Sequence, residues 1–418
     1  MVAWLALLAF VMPYDPDEGV YKVVAQGLLN GQWPYRDIFD HKAPLTYAYY
    51  IPAGLGAPIE IQRLIAAALV ALSFSALASV ASAWLGQAHV KAALLAYALL
   101  LINPFISLGA NTEAFMLLPL TAAVATTSPI VGGVLLGVAV MTKAVALAFL
   151  PLLFIHWGRR AWLSVMGLVI VVAAVSLPFA PVWRDYWDAN VMFNLEYGAH
   201  IEVWRRAVGL FIFNPLVLLG MLPVWYLVVR GASVARDRRC LAWLGCAYLS
   251  VKLGGYDFAH YYALMSPPAA LLAAAGTKGL SGRRFLLSAL AIVSAVLVAF
   301  AVVLSVVSKV TQGNGRLITE VQRSPGELYV LGDRSQIYAY TDRRPQRRFF
   351  YSVPLVVHPQ WGELVRKDLL MCPPDVLVVP AFAIFPVDWV DDVTALYENR
   401  VEFSEGMVYR EPRRTCDR

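Results

Sequence analysis

Tyr14-Asp15-Pro16-Asp17-Glu18-Gly19 places three carboxylates within four residues, directly after an apolar run at 1–13. Ionised groups at the exit of a hydrocarbon-soluble helix are costly unless they meet water or a functional cavity. The stretch therefore reads as the mouth of a membrane span and as a concentration of acid chemistry there. Every later cluster of unusual polar residues falls on the same predicted side of the membrane. That coincidence points to a membrane-embedded enzyme.

The 418-residue composition agrees, with 59% apolar and 15% charged residues and a mean hydropathy of +0.62. A soluble domain is typically about 45–50% apolar and about 25% charged. Apolar runs at 1–13, 61–85, 92–109, 114–128, 129–142, 144–157, 161–181, 208–230, 240–254, 260–276 and 285–308 predict about eleven transmembrane helices. Each needs roughly 20 residues to cross about 30 Å of hydrocarbon. The net charge is +6, but the basic residues occupy short loops and not one face of a soluble domain, which argues against nucleic acid. Lys91, Arg159-Arg160, Arg230 with Arg236, Arg238 and Arg239, and Lys278 with Arg283-Arg284 all become cytoplasmic when spans are counted from an inside N-terminus. The run 1–13 has no small-residue cleavage site after it, so it reads as a first helix and not as a signal peptide.

After Val307 the charge density rises. Glu327–Leu331 and Val376–Val379 read as short buried strands, alternating with helical stretches at Trp361–Leu370 and Asp391–Asn399. The fold expected is an all-α polytopic membrane region over 1–308 followed by a small extracytoplasmic α/β domain over 309–418. Cys372 and Cys416 are available there to pair in an oxidising compartment. Cys240 and Cys246 lie in a span and read as small apolar residues.

The outer loop 14–60 carries the densest chemistry. Asp17 can cap a surface helix with apolar Val20, Val23, Val24 and Leu28 at helical spacing, stopped by Asn30-Gly31. Capping leaves Glu18 unexplained, as it does Arg36-Asp37-Ile38-Phe39-Asp40-His41-Lys42-Ala43-Pro44-Leu45 and the aromatic run to Tyr50. Carboxylates beside His41 and Lys42 suit chemistry on a lipid phosphate, with cations balancing the phosphate and a carboxylate acting as base. Glu113 lies at membrane depth, where an unpaired carboxylate is expensive. Lys143 ends a span on the same side, and Asp257 and His260 share one helical face before Tyr261-Tyr262 and Pro267-Pro268. Loop 182–207, with Arg184, Asp185, Glu196, His200, Glu202, Arg205 and Arg206, reads as an amphipathic surface segment. The inner loops hold anchors; the outer ones hold the chemistry.

These residues resemble membrane glycosyltransferases of the GT-C superfamily, most nearly the branch of protein O-mannosyltransferases and lipid A aminoarabinose transferases. The likeness rests on Asp17-Glu18, on Pro34 through Tyr47, and on Thr112-Glu113, Thr142-Lys143 and His260 to Pro268. It covers roughly 1–308, with Ala43 standing where a first proline is common. The resemblance implies a sugar carried on polyprenyl phosphate and transferred on the extracytoplasmic side to a hydroxyl of a lipid, glycan or protein. It implies a catalytic aspartate at Asp17, with Glu18 beside it, and a phosphate-binding lysine at Lys42. The chemistry of the residues fits: Asp17 takes the acceptor proton, and Lys42, His41, His260 or Arg205 offset the leaving phosphate. Asp15, Glu113, Lys143, Tyr47, Tyr50, Asp257, Tyr261 and Tyr262 are the candidate substrate contacts. Asp15, Asp17 and Glu113 are the candidates to ligate a divalent cation (Mg or Mn) if one assists. A transporter or flippase of a lipid-linked sugar is the competing class, disfavoured by the missing internal repeat and by polar clusters confined to one face.

Overall fold

The computed structural model describes residues 14–102, 109–199, 221–234, 237–255, 258–280, 296, 299–300, 303, 306–307, 315–383 and 386–413. The expected spans 1–13 and 285–308 lie wholly or almost wholly outside those residues, as does the first part of 208–230.

Asp15 starts the first described helix, α1 (Pro16–Leu29), and Asn30 ends it. The short α2 (Pro44–Tyr49) leads into the helical bundle. That bundle comprises α3 (Ile59–Leu85), α4 (Val90–Ile102), α5 (Thr112–Ala125), α6 (Pro129–Val140), α7 (Leu150–Trp157) and α8 (Ala161–Ser176). After α9 (Phe193–Ala199) come α10 (Leu222–Val234), α11 (Arg238–Leu253) and α12 (Ser266–Gly276). Two continuous helical stretches among the described residues, Ile59–Leu85 and Ala144–Gly198, are long and apolar enough to cross a membrane. The expected spans 114–128 and 129–142 are shorter than the sequence suggested. At 14 and 12 residues, α5 and α6 reach only about 18–21 Å, short of the roughly 30 Å of hydrocarbon. Apolar composition alone does not show where a 3₁₀ turn breaks a helix, as at Ala144–Phe149 and Ala259–Met265. Val169, Ile170, Tyr226, Val229, Leu249 and Leu253 are exposed on the outside of this bundle, the surface that lipid would cover.

Small residues set the helix spacing. A Cβ on Gly133 or Gly167 would strike the backbone of α8 or α6 respectively, and Gly231 and Gly276 bring α10 and α12 equally close. Packing without a hydrophobic drive between helices favours such close backbone approach.

The C-terminal part contains α13 (Arg316–Arg323), α14 (Gln336–Thr341) and α15 (Pro359–Met371) around a four-stranded sheet. Its strands are β1 (Leu328–Val330), β2 (Val376–Pro380), β3 (Tyr397–Phe403) and β4 (Gly406–Pro412), in the order β1-β2-β4-β3. β1 and β2 run parallel and bury nearly every residue; β4 is antiparallel to both β2 and β3. The expected helix Asp391–Asn399 is corrected: helix ends at Thr394 and Tyr397 begins β3. Cys372 is disulfide-bonded, Cys240 and Cys246 are free, and Cys416 lies outside the described residues.

This part is seated on α1. Gly19 meets the backbone of Gln336, where a methyl group would not fit. Ser335 Oγ donates to Pro16 O at 2.6 Å, Tyr14 N to Tyr340 Oη at 2.7 Å, and Lys22 pairs with Asp342 at 3.3 Å. Phe39 N donates to Arg348 O at 2.8 Å, so the loop after α1 is held from the same direction.

Candidate active site

The sequence Asp15-Pro16-Asp17-Glu18 builds a capping box. Asp15 is the N-cap and accepts from Asp17 N at 2.9 Å, while Glu18 Oε2 accepts from Asp15 N at 3.0 Å. The cap is therefore Asp15 and not Asp17, as proline at the first helical position favours. Burial first, then the charges of Asp17 and Glu18, push Asp15 up to about 8. Glu18 is fully buried, accepts from Arg63 at 2.9 and 2.5 Å, and accepts from Ala110 N at 3.0 Å. It ties α1 to α3 and to the approach to α5, which is a framework role. Asp17 is left half-buried, and its carboxylate accepts from Tyr21 Oη at 3.1 Å.

The second element is the loop 35–43, turned by Tyr35 in the left-handed region at φ 76°. Asp40 and His41 are buried. Tyr47 and Tyr351 donate to Asp40 at 2.9 and 2.8 Å, and His41 Nδ1 lies 3.3 Å from Asp40 Oδ1. His41 Nε2 is 2.8 Å from Lys42 Nζ. Burial opposes ionisation of Asp40, but hydrogen bonding to His41 and the nearby Lys42 charge hold it well below the usual carboxylate range. Burial, then the Lys42 charge, lowers His41 from its ordinary 6.5. His41 is thus a neutral acceptor toward Lys42, and not the second cation expected.

The third element comes from three helical segments. Glu113 accepts from Lys143 at 2.6 Å and from Thr112 Oγ1 at 3.0 Å, and His260 Nε2 lies 3.8 Å away. Lys143 also sits 3.6 Å over the Tyr261 ring. The carboxylate expected at membrane depth, where an unpaired acid is expensive, is paired. His260 is within electrostatic reach of Glu113, Lys143, Asp17 and Lys42 together, so the acids, the His-Lys pair and the tyrosine-rich turn share one locality.

A cavity of about 80 Å³ opens between the second and third of these elements, lined by His41, Lys42, Lys143, Asn190, Asn194 and Tyr261 among others. Asn190 lies in a π-helical turn, Asp188–Met192, and Asn194 donates to His41 O at 2.9 Å. The lone signal in the sequence for these amides was their place in the 182–207 segment. Asp40 and Tyr351 were missed as site residues. Asp40 stood inside the quoted segment, but nothing local could announce a partner 311 residues away.

Other expected contacts are placed elsewhere. Tyr47 and Tyr50 are fully buried and spend their hydroxyls on Asp40 and Lys42 O, and on Ala110 O, as framework and not as a sugar platform. Tyr262 is buried beside Tyr261, which does line the cavity. Arg205, Asp257, His200, Glu202 and Arg206 lie outside the described residues. Asp15, Asp17 and Glu113 do not converge on a cation: among the described residues no group of three or more His, Cys, Asp or Glu side chains is placed to hold a metal. Asp15 is committed to its cap and Glu113 to Lys143, so no step below passes through a metal.

No protein-family model and no curated protein matches the chain. Among solved structures, ArnT from Cupriavidus metallidurans bound to undecaprenyl phosphate is similar with a TM-score of 0.68 and 16% identity, covering 98% of this chain and 96% of that one. Its apo state gives 0.66 and 16%, covering 98% and 95%. The oligosaccharyltransferase of Archaeoglobus fulgidus, in complex with Zn and sulfate, gives 0.53 and 14%, covering 98% and 72%. The chain shares the fold of ArnT and, at a lower TM-score, that of the archaeal oligosaccharyltransferase.

Proposed function

We propose that the protein is a membrane glycosyltransferase that moves a sugar from a polyprenyl-phosphate carrier to an acceptor hydroxyl at the extracytoplasmic face. The observation that carries this reading is Lys42. Its ammonium borders the cavity, and its hydrogen-bond partner is a neutral imidazole nitrogen, not a carboxylate. A cation left without a paired anion among the described residues is suited to a phosphate. ArnT, which shares this fold, has been seen bound to undecaprenyl phosphate, and that supports a lipid-phosphate ligand here.

In this reading Asp17 accepts the proton of the acceptor O–H as the oxygen attacks the anomeric carbon from the face opposite the phosphate. The anomeric C–O bond to the phosphate breaks, its electron pair leaves on the phosphate, and the configuration inverts. Lys42, with His260 and the Lys143–Glu113 pair behind it, offsets the charge that grows on the leaving group. Polyprenyl phosphate needs no separate acid. Glu18 belongs to the framework, and the topology proposed keeps the N-terminus cytoplasmic and the C-terminal domain outside.

The test is a transfer assay on the purified chain in detergent, with a panel of polyprenyl-phosphate sugars and membrane-extract acceptors. Transfer by the wild type and its loss in Asp17→Asn, with the variant still inserted and folded, is the expected result. A folded, active Asp17→Asn protein removes Asp17 from the role. Failure of every lipid-linked donor, with transport of one across a vesicle instead, replaces the enzyme by a flippase.

A further inference from the structure

Behind the Lys42 ammonium stand side chains that the proposed reaction does not use. An ammonium group has only donors, so the 2.8 Å contact with His41 Nε2 requires a lone pair there and puts the ring proton on Nδ1. Nδ1 faces Asp40, and Asp40 is held by the hydroxyls of Tyr47 and Tyr351. The imidazole is also gripped sideways, its centroid 5.1 Å from Phe193 and 5.3 Å from Tyr197. Asn194 fixes its backbone carbonyl.

We infer that Tyr351 and Tyr47 lock Asp40, that Asp40 fixes the His41 tautomer, and that His41 aims the Lys42 ammonium at the donor phosphate. Asp40, His41 and Tyr351 are then positioning residues, and the C-terminal domain supplies one of them. The inference rests on the donor reading above and adds to it a chain of contacts that acts only through Lys42. One ammonium proton goes to His41, which leaves two for other acceptors. A buried aspartate serving packing alone would have no need of a histidine whose far nitrogen meets the phosphate-side lysine.

Protonating His41 breaks the relay, because an imidazolium cannot accept from an ammonium. The charged and titratable groups around the ring are Asp40 and Lys42 from its own loop, Tyr351 from the C-terminal domain, Tyr197 from α9, and Asp17 within electrostatic reach from α1. Burial and Lys42 lower the histidine, which keeps it neutral in the working range.

The test measures binding of undecaprenyl phosphate to the purified full chain for wild type, Asp40→Asn, Tyr351→Phe, Lys42→Ala and the double variants carrying Lys42→Ala. Removing a hydrogen bond to a charged group is expected to weaken binding about ten-fold in Asp40→Asn, and about three-fold in Tyr351→Phe. In the Lys42→Ala background neither change should weaken it further, since the relay acts only through that ammonium. Thermal melting confirms that each variant is folded, and Tyr351→Phe, which loses one hydroxyl, stands in should Asp40→Asn fail that check. Equal losses with and without Lys42 make Asp40 and Tyr351 merely structural and overturn the relay. Wild-type affinity in folded Asp40→Asn does the same while leaving the donor reading intact. A wild type that binds no undecaprenyl phosphate overturns both.

Discussion

Asp17 and Glu18 are neighbours with opposite employment, and the difference is decided by partners. Glu18 is buried against Arg63, and breaking a buried ion pair from one side typically costs about 3–5 kcal/mol. Glu18→Ala is expected to lower stability by that order, measured by denaturant or thermal unfolding, while transfer per folded molecule survives. Asp17→Asn is expected to give the reverse: stability within about 0.5 kcal/mol of wild type, as for a substitution away from a buried network, with activity gone. Lys42→Ala should raise the donor KM far more than the acceptor KM in initial-rate measurements. The acid limb of donor binding has its own sign. His41 has a folded value below 6.5, so binding is fully present above that pH and is lost as pH falls through the lowered value. A binding profile that falls instead as pH rises through neutrality would contradict the neutral-acceptor role. At this scale the acids and the lysine were legible because their local density was abnormal. Glu18's role was not, because Arg63 approaches from another helix 45 residues on.

Elements were legible where pattern is local. The α1 periodicity, its Asn30 stop, and the continuous apolar strands β1 and β2 announced themselves. β3 did not: Tyr-Glu-Asn-Arg-Val-Glu-Phe is an edge strand whose middle residues are exposed, so no apolar alternation marks it, and its first three residues fall in the helix expected over Asp391–Asn399. Short apolar helices were merged with their neighbours because hydropathy is blind to a 3₁₀ break. Glycine carries the packing signal between helices. Gly133 and Gly167 let α6 and α8 touch backbone to backbone. Gly133→Ala should force the pair apart and cost about 1–3 kcal/mol, seen as a lower melting temperature in detergent. An unchanged melt would mean that the two helices are free to separate without penalty.

The whole molecule is two parts sharing one site. The helical fold of the first part followed from hydropathy and from the resemblance of its loop segments; the contact that the C-terminal part makes with the site did not, since no sequence pattern links Tyr351 to Asp40. Gly19 against Gln336, Ser335 on Pro16 and Lys22 with Asp342 make the seat. Gly19→Leu should unseat the C-terminal part, seen as protease sensitivity within 315–413 and as loss of transfer although Asp17 and Lys42 are intact. Full activity alongside rapid cleavage would show that the second part is dispensable.

One of the two hydroxyls that reach Asp40 is supplied from 311 residues further along the chain. A ribosome must therefore add 311 residues beyond Asp40 before the pocket can close. Contacts of such long sequence separation form late, because loop entropy must be overcome first. A growing or prematurely terminated chain would hold the acid and the ammonium yet lack the brace that aims them. In the proposed reading, newly made protein stays silent until the segment that carries Tyr351 has docked.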